Sequence, residues 1–348
     1  MKKTSTFAAL AAASAIFLSG CGGAEPEAAA APAATSVEEL YEAAQAEGQV
    51  VVYGPTEDLY AAVYQDFKAA YPGIEVVTSD IFGQELDSRL EGEQIAGGFA
   101  ADLVHIGVSD VERYNEKNYL APYKPFGTED LDPAFIGPDD AWSIPSQHLY
   151  ATAYNTKALS ADEVPSTWDD LLSADLSGKI ATATPKQSGV TPQVLSAALE
   201  DGVIDEAWID SFKADANPKI FPSVANALQA TVTGETDLAF VAGYGSYMRQ
   251  LEQGAPLGFT AMTDGAYYSD VAYGVLDGGP NPNAARLLVA WMFSPEGQAS
   301  VAEHVFEFGT MPEAPLPAGA EVVGDPVRLP YPGAEGYRST LQLLSTKF

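Results

Sequence analysis

The chain has 348 residues, of which 47% are hydrophobic, and it carries a formal net charge of -31. This length accommodates two domains, and scattered charges in so apolar a sequence exclude a chain that is disordered throughout. A surface this acidic repels nucleic acid and anionic lipid headgroups, so neither is expected as a partner. The single cysteine excludes an intrachain disulfide.

Residues 1–20 have the pattern of a signal peptide. Lys2 and Lys3 precede an apolar run over residues 7–18, which is too short to span a bilayer comfortably. The run leads into Leu-Ser-Gly-Cys, which matches the bacterial lipobox with Cys21 as the lipidated residue. Lipid chains on Cys21 would hold the protein at a membrane while the rest of the chain stays in water.

Residues 21–35 contain Ala, Pro, Gly and Glu but no large apolar side chain, which predicts a flexible tether. The folded part therefore begins at Ser36, which forms a capping box with Glu39 and predicts the start of a helix. Apolar segments then predict three strands at residues 49–53, 74–78 and 102–106, each followed by a loop and a helix.

Two of these helices carry more detailed expectations. Leu86, Leu90 and Ile95 mark the helix after the second strand, which is expected to end at Gly97-Gly98, and Ser109 is expected to cap the helix after the third strand. The repeated order of strand, loop and helix implies a parallel sheet, whose ligands bind at the carboxyl ends of its strands.

The segment from Ser143 to Lys157 separates this run of elements from a second one. Its centre, Leu149 to Tyr154, is apolar and aromatic, which predicts one buried strand. A strand that joins two α/β units is a natural hinge, whereas the alternative interpretation is an ordinary core strand of a single domain.

A second run of strand and helix patterns follows this hinge. Residues 165–172 are predicted to form the start of a short helix. Strands are expected at 178–183 and 238–241, with helices at 193–199, 224–232 and 283–292. Residues 259–262 and 267–273 would carry the chain back to the first α/β unit.

Several segments together resemble the ferric-ion, thiamine and phosphonate receptors among the family 1 solute-binding proteins of bacterial ABC importers. The segments are Val51-Val52-Tyr53-Gly54, Ala101-Asp102-Leu103-Val104, Tyr154-Asn155-Thr156-Lys157, Leu176-Ser177-Gly178-Lys179-Ile180 and Phe293-Ser294-Pro295-Glu296-Gly297-Gln298. The last of them is expected to end a late helix, as it commonly does in these receptors.

The resemblance implies an α/β, two-lobed periplasmic-binding-protein-like fold of type II, in which each lobe is a sheet flanked by helices and crossover strands form the hinge. Lobe one is expected to comprise residues 36–148 and 263–348, and lobe two residues 149–262. The implied protein is not an enzyme and has no cofactor. It is a monomeric, extracytoplasmic lipoprotein that binds a solute between its lobes and delivers it to a membrane permease.

Because loops at strand ends converge, candidate ligand-binding residues are taken from them. These are Thr56, Glu57, Phe82, Gln84, His105 and Gln147 from the first part of the chain, and Ser188, Gly189, Thr191, Tyr244, Tyr267 and Asp270 from the second. None of them is Lys or Arg, which favours a metal ion or a cationic or zwitterionic solute over a simple anion.

Ferric iron is one candidate ligand, and a small organic cation or zwitterion of the thiamine, polyamine or aminophosphonate kind is the other. Candidate metal ligands with hard oxygen atoms are Glu57, Tyr244, Tyr267, Tyr268 and Asp270. Ferric receptors often place a histidine or tyrosine after the first strand, a carboxylate after the third, and two adjacent tyrosines after the strand of lobe two. The matching positions here hold Glu57, Gly107 and Tyr244-Gly245, so only one tyrosine of the pair is present.

Two other classes of protein remain open at this point. A secreted, lipid-anchored hydrolase would use His105 or His148 as a base, although no H-E-x-x-H, G-x-S-x-G or Walker motif occurs in the chain. An adhesion or scaffold lipoprotein would have no enclosed pocket.

The lipobox generates the first testable prediction. Replacing Cys21 by Ser removes the thiol that would be acylated, so the variant should move from the membrane to the soluble fraction. Detergent-phase partitioning measures this, and equal partitioning of wild type and variant would contradict the lipid anchor.

Overall fold

The computed structural model describes residues 34–324 and 326–348. The predicted signal peptide, Cys21 and nearly all of the predicted tether lie outside the described residues. Residues 35–348 form one compact unit. Within the described ranges, no helix is both long and apolar enough to cross a bilayer.

Eleven strands and eleven α-helices are assigned within the described residues. The strands are β1 (Gln49–Gly54), β2 (Glu75–Asp80), β3 (Leu103–Gly107), β4 (Ser143–Asn155), β5 (Ile180–Ala183), β6 (Lys219–Phe221), β7 (Leu238–Gly243), β8 (Leu257–Thr260), β9 (Ala266–Val275), β10 (Phe308–Gly309) and β11 (Arg328–Leu329). The helices are α1 (Val37–Glu47), α2 (Ala61–Ala70), α3 (Gly83–Ala96), α4 (Val108–Glu116), α5 (Val190–Glu200), α6 (Glu206–Ser211), α7 (Val224–Thr233), α8 (Tyr244–Glu252), α9 (Pro282–Met292), α10 (Pro295–His304) and α11 (Gly333–Lys347).

The main path of the sheet runs in the order β2-β1-β3-β9-β4-β7-β5-β6. On one side β1 is parallel to β2 and β3, and on the other β5 is parallel to β6 and β7. The long strands β4 and β9 are antiparallel to each other and lie between these parallel groups. This arrangement is the predicted two-lobed α/β fold, and β4 contains the predicted strand at Leu149 to Tyr154.

Strand β4 divides its pairing between the two lobes. Residues 143–150 pair with β9, whereas residues 150–155 pair with β7 and β8. One strand therefore fixes the position of both lobes.

Each lobe has its own apolar core. In the first, Leu86 and Leu90 of α3 pack with Val104 and Trp142. In the second, Trp168, Trp208, Phe212 and Phe240 share a cluster, in which the rings of Trp208 and Phe212 stack at a centroid distance of 5.0 Å. A third cluster, which includes Leu149, Tyr244 and Phe308, lies along β4, β7 and β10.

One local expectation was wrong, and two others were correct but incomplete. Ile95 is 89% exposed, because five residues at about 100° each place it roughly 140° around α3 from Leu90. Helix α4 begins at Val108 after Gly107, so Ser109 lies inside it and does not cap it. The segment at Ser294 ends α9 as expected, since the Ser294 N–H donates to the Trp291 carbonyl at 2.9 Å, and it also opens α10, since the Ser294 Oγ accepts the Gly297 N–H at 3.1 Å.

Asp102 joins three parts of the first lobe. Its buried carboxylate accepts hydrogen bonds from the backbone N–H of Val51 in β1 at 2.7 Å and from the backbone N–H of Asn281, before α9, at 2.6 Å. The Asn281 amide donates a third hydrogen bond at 3.0 Å. Burial raises the pKa of Asp102, while these donors act in the opposite direction.

Removing this carboxylate should therefore destabilise the protein. Asp102→Ala leaves buried donors unpaired and is expected to lower the free energy of unfolding by about 2–4 kcal/mol. Urea denaturation measures the loss, with Asp130→Ala at an exposed position as the control. Equal midpoints for the two variants would contradict this role of Asp102.

Candidate functional site

A cleft of about 750 Å³ opens between the lobes. It lies at the carboxyl ends of β1, β2, β3, β5 and β7, where the α/β order of the sequence places a ligand. Residues of β4 and β9 also line it, including His148, Tyr150 and Ser269. The cleft is therefore built from both lobes and from the strands that join them.

Four helix N-termini, two from each lobe, open into this cleft. Helices α3 and α4 belong to the first lobe, and α5 and α8 to the second. None of their N-cap residues accepts a hydrogen bond through its side chain; these residues are Phe82, Gly107, Gly189 and Gly243. Side chains cap α1, α6, α7 and α10, whereas the N-cap residues of α2, α9 and α11 also make no side-chain cap hydrogen bond. The cleft thus collects four helix ends that are not capped by the side chains of their own N-cap residues, and at α5 the Gly189 N–H donates to the Tyr337 hydroxyl instead.

Arg249 of α8 adds a positive charge to the lobe-two side of the cleft. It is half-buried, and its Nη2 donates to Ser246 Oγ at 3.3 Å. It forms no ion pair with any residue that the structure describes. Burial lowers the pKa of the guanidinium, and the negative charge of Glu307 raises it. Because a guanidinium is not deprotonated in proteins, Arg249 stays charged and available to a ligand.

Glu307 places a buried negative charge against the same cleft. Its carboxylate is 1% exposed and accepts hydrogen bonds from the hydroxyl groups of Tyr60 and Ser146. His148 Nε2 lies 3.4 Å from Glu307 Oε1. The preceding residue, Phe306, has φ 58°, a strained conformation for an aromatic residue. Acceptor atoms and a histidine therefore face the donor groups of the helix ends.

His105 presents an unfilled hydrogen-bonding position in the cleft. Its ring is 2% exposed, stacks on Tyr273 at a centroid distance of 4.2 Å, and pairs through Nδ1 with Glu57 Oε1 at 2.7 Å. Because an ionised carboxylate only accepts, this contact assigns a proton to Nδ1. Nε2 has no hydrogen-bond partner among the described residues.

Glu57 is not a wall residue of the cleft. It is 1% exposed, accepts the Tyr64 hydroxyl at 2.5 Å, and pairs with His105 from beneath the wall. The sequence correctly places Glu57 directly after β1, but Tyr64 and His105 hold its carboxylate inside the lobe. Glu57 orients His105 instead of facing the ligand.

The candidate ligand-binding residues, including Glu57 and His105, divide into two groups. Those that line the cleft are Thr56, Phe82, His105, Ser188, Gly189 and Tyr244. Those that do not are Glu57, Gln84, Gln147, Thr191, Tyr267 and Asp270.

Strand geometry explains part of this division. Successive side chains of a strand point to opposite faces, and Ser269 and Val271 of β9 line the cleft, so Asp270 faces away. Asp270 accepts instead from the Gln147 amide at 2.5 Å. Tyr267 belongs to the core of the second lobe, and Thr191 is buried in α5.

The five candidate metal ligands are not brought together in the cleft. Only Tyr244 lines it, and its hydroxyl donates to the Ala318 carbonyl at 2.7 Å. Tyr268 packs under Arg328, whose guanidinium carbon lies 4.1 Å from the ring centroid. In the part of the chain that the structure describes, no group of three or more His, Cys, Asp and Glu side chains is placed to hold a metal ion.

Several residues of the cleft were not among the candidates. These are Tyr60, Asp110, Tyr150, Arg249, Glu307 and Tyr337, together with His148. From the sequence, His148 was considered only as the base of a hydrolase. Tyr337 lies on a helix that the sequence did not predict, and it contacts Gly189 across 148 residues, so no local pattern identifies it.

Comparison with known proteins gives a family and a set of similar folds. The bacterial extracellular solute-binding protein family matches residues 53–299. An uncharacterized protein of Haemophilus influenzae is 25% identical over 270 residues, which cover 73% of this chain and 75% of that protein. Iron-bound HitA from Pseudomonas aeruginosa has a TM-score of 0.71 at 20% identity and covers 86% of this chain and 99% of its own. AfuA from Actinobacillus pleuropneumoniae with fructose-6-phosphate has a TM-score of 0.67 at 20% identity, with coverages of 86% and 98%.

The chain belongs to the bacterial extracellular solute-binding protein family, since the match covers more than half of it. It is the extracellular binding component of an ABC transporter, and the family binds solutes instead of transforming them. The two solved structures show the same periplasmic-binding-protein fold, as the sequence predicted.

The pairing of Glu57 with His105 generates a prediction about stability. Glu57→Ala leaves the Tyr64 hydroxyl and the His105 Nδ1–H buried without acceptors, and should lower the free energy of unfolding by about 2–4 kcal/mol. Thermal or urea unfolding measures this loss. Asp58→Ala, at the exposed neighbouring position, should change stability little, and an equally small effect of Glu57→Ala would refute the assignment.

Proposed function

We propose that the protein is the lipid-anchored receptor of an ABC importer and that its ligand is a small solute with an anionic group. Phosphate, phosphonate and carboxylate groups are the chemical classes considered. The observation that carries the proposal is the convergence of four helix N-termini without side-chain caps on a cleft that also contains Arg249.

Helix N-termini are suited to anions for two reasons. Their first N–H groups have no partner within the helix, and the helix dipole adds about half a positive charge at this end. Since α3 and α4 come from one lobe and α5 and α8 from the other, an anion between them would be bound by both lobes. Such shared binding favours a closed conformation of the lobes.

Glu307 adds hydrogen-bond acceptors to a cleft whose helix ends and Arg249 are donors, and this restricts the kind of ligand that fits. Its carboxylate, His148 and Asp110 can accept hydrogen bonds from hydroxyl or ammonium groups of a ligand. An anion that also carries such donors, for example a phosphorylated polyol or an aminophosphonate, complements both parts of the cleft. The similarity to AfuA with fructose-6-phosphate supports this class. An anionic ligand differs from the metal ion or organic cation that the sequence favoured. A zwitterionic ligand agrees with both.

Ferric iron is the second candidate ligand, favoured by the similarity to iron-bound HitA and by the histidine, tyrosine and carboxylate side chains of the cleft. Burial raises the pKa of Tyr150 to about 12 and also raises that of Tyr244. Both phenols are therefore protonated in the free protein at neutral pH. Each would have to lose a proton to serve as a phenolate ligand of Fe(III).

The remaining parts of the proposal concern the whole receptor. Cys21 would carry the lipid anchor, and residues 21–35 would link it to a monomeric receptor that docks on a permease. Lobe one would comprise residues 36–148 and 263–348, and lobe two residues 149–262, except that Tyr267 and α11 pack with the core of lobe two. The division of β4 between partners in both lobes supports a boundary within this strand.

A ligand panel with one variant tests the anion proposal. Calorimetry with glycerol 3-phosphate, 2-aminoethylphosphonate, ferric citrate, thiamine and spermidine should find binding of the phosphate or phosphonate compounds. Arg249→Gln removes a charge-assisted contact and should weaken that binding about 10- to 100-fold.

Arg286→Gln on α9 is the matched control and should leave the dissociation constant unchanged, because Arg286 lies outside the cleft. Binding of thiamine or spermidine alone would refute the anionic ligand. Binding of iron without an organic anion would favour the second candidate.

A further inference from the structure

We infer that Tyr337 of α11 is an affinity-determining residue of the cleft, because its phenol occupies the N-terminus of α5 and must be displaced when the ligand's anionic group binds there. This inference rests on the proposed function, since it concerns the same site and an anionic ligand. Neither α11 nor Tyr337 was expected at the cleft from the sequence.

The hydrogen bonds of Tyr337 place its oxygen where an anion would bind. The N–H of Gly189, the N-cap residue of α5, donates to Tyr337 Oη at 3.0 Å. Ser188 Oγ lies 2.9 Å from the same oxygen. All three residues line the cleft. The phenol therefore occupies two groups that would otherwise be free to bind a ligand oxygen.

The base of α11 is fixed, whereas its end near the cleft is open. Leu344 is buried in the core of the second lobe, and Lys347 Nζ contacts Asp210 Oδ1 at 2.7 Å. Tyr337 is only half-buried, and Ser188 and Gly189 are exposed. Because the partners of the phenol are exposed and α11 is held at its other end, a change of the Tyr337 rotamer can release the phenol without unfolding of the helix.

A separate observation indicates that the cleft holds a ligand. His105 Nε2 is buried, lacks a hydrogen-bond partner among the described residues, and belongs to the facing lobe-one wall. The hydrogen-bonding position at His105 Nε2 is thus unfilled, whereas the one at the N-terminus of α5 is filled by Tyr337 Oη. At the N-terminus of α5, the neutral Tyr337 oxygen takes the place that an oxygen of the bound ligand would occupy.

Charge decides the competition between phenol and ligand. A hydrogen bond from a backbone N–H to an ionised oxygen is roughly twice as strong as one to a neutral oxygen, and the helix dipole adds to the difference. An anionic group therefore displaces the phenol. Each binding event still breaks the Gly189 contact first, so Tyr337 lowers the affinity of the wild-type protein for its ligand.

Tyr337→Phe tests this competition. The variant keeps the ring but frees Gly189 N–H and the Ser188 hydroxyl, and should bind glycerol 3-phosphate about 2- to 10-fold more tightly, the range of one ordinary hydrogen bond. Calorimetry gives the dissociation constants. In the ligand-free protein, the Gly189 amide should exchange its hydrogen faster in the variant, as measured by NMR.

Tyr41→Phe is the matched control, since it removes a phenol that donates to the Pro72 carbonyl at 2.8 Å on the surface of lobe one. It should change neither the affinity nor the exchange at Gly189. Tyr337→Leu should repeat the gain in affinity and guards against an effect particular to phenylalanine.

Weaker or unchanged binding by both Tyr337 variants would overturn the inference, because Tyr337 would then be a direct ligand contact or unrelated to binding. If wild type binds glycerol 3-phosphate and Arg249→Gln weakens it, that failure leaves the proposed function standing. If wild type binds none of the anions in the panel, the proposed function fails and the inference fails with it.

Discussion

The antiparallel pairing of β4 with β9 positions every other part of the binding site. Residues 143–150 of β4 pair with residues 267–273 of β9, and the parallel strands of each lobe attach to the outer edges of this pair. The strand ends that carry the cleft loops therefore take their positions from one set of backbone hydrogen bonds. Because the same strands contribute His148 and Ser269 to the cleft, the scaffold and the site share residues.

The charge distribution in the cleft differs from that of the chain as a whole. With 48 acidic and 17 basic residues, the protein would be expected to repel anions. Locally, backbone dipoles and Arg249 supply positive potential without requiring many basic side chains. The buried Glu307 has hydroxyl donors of its own, which stabilise its charge against burial. If the ligand is anionic as proposed, short-range geometry outweighs net charge at this site.

The sequence predicted the fold better than the site. Apolar runs with clear period identified β1, β3 and β7, and the family resemblance gave the two-lobed arrangement. The errors arose where tertiary contacts decide. Glu57 follows β1 as expected, but Tyr64 and His105 hold it inside the lobe. Asp270 was placed in the right strand but on the wrong face, and Tyr337 reaches the cleft from a helix distant in sequence. Local patterns do not contain such information.

The central strand pair also has a kinetic consequence. The Gln147 and Asp270 side chains that meet across β4 and β9 are 123 residues apart in the chain, so forming this pair closes a long loop. Closure of such a loop is entropically costly, and folds dominated by distant contacts reach their native state slowly. The two lobes cannot complete their shared sheet until both strands are present.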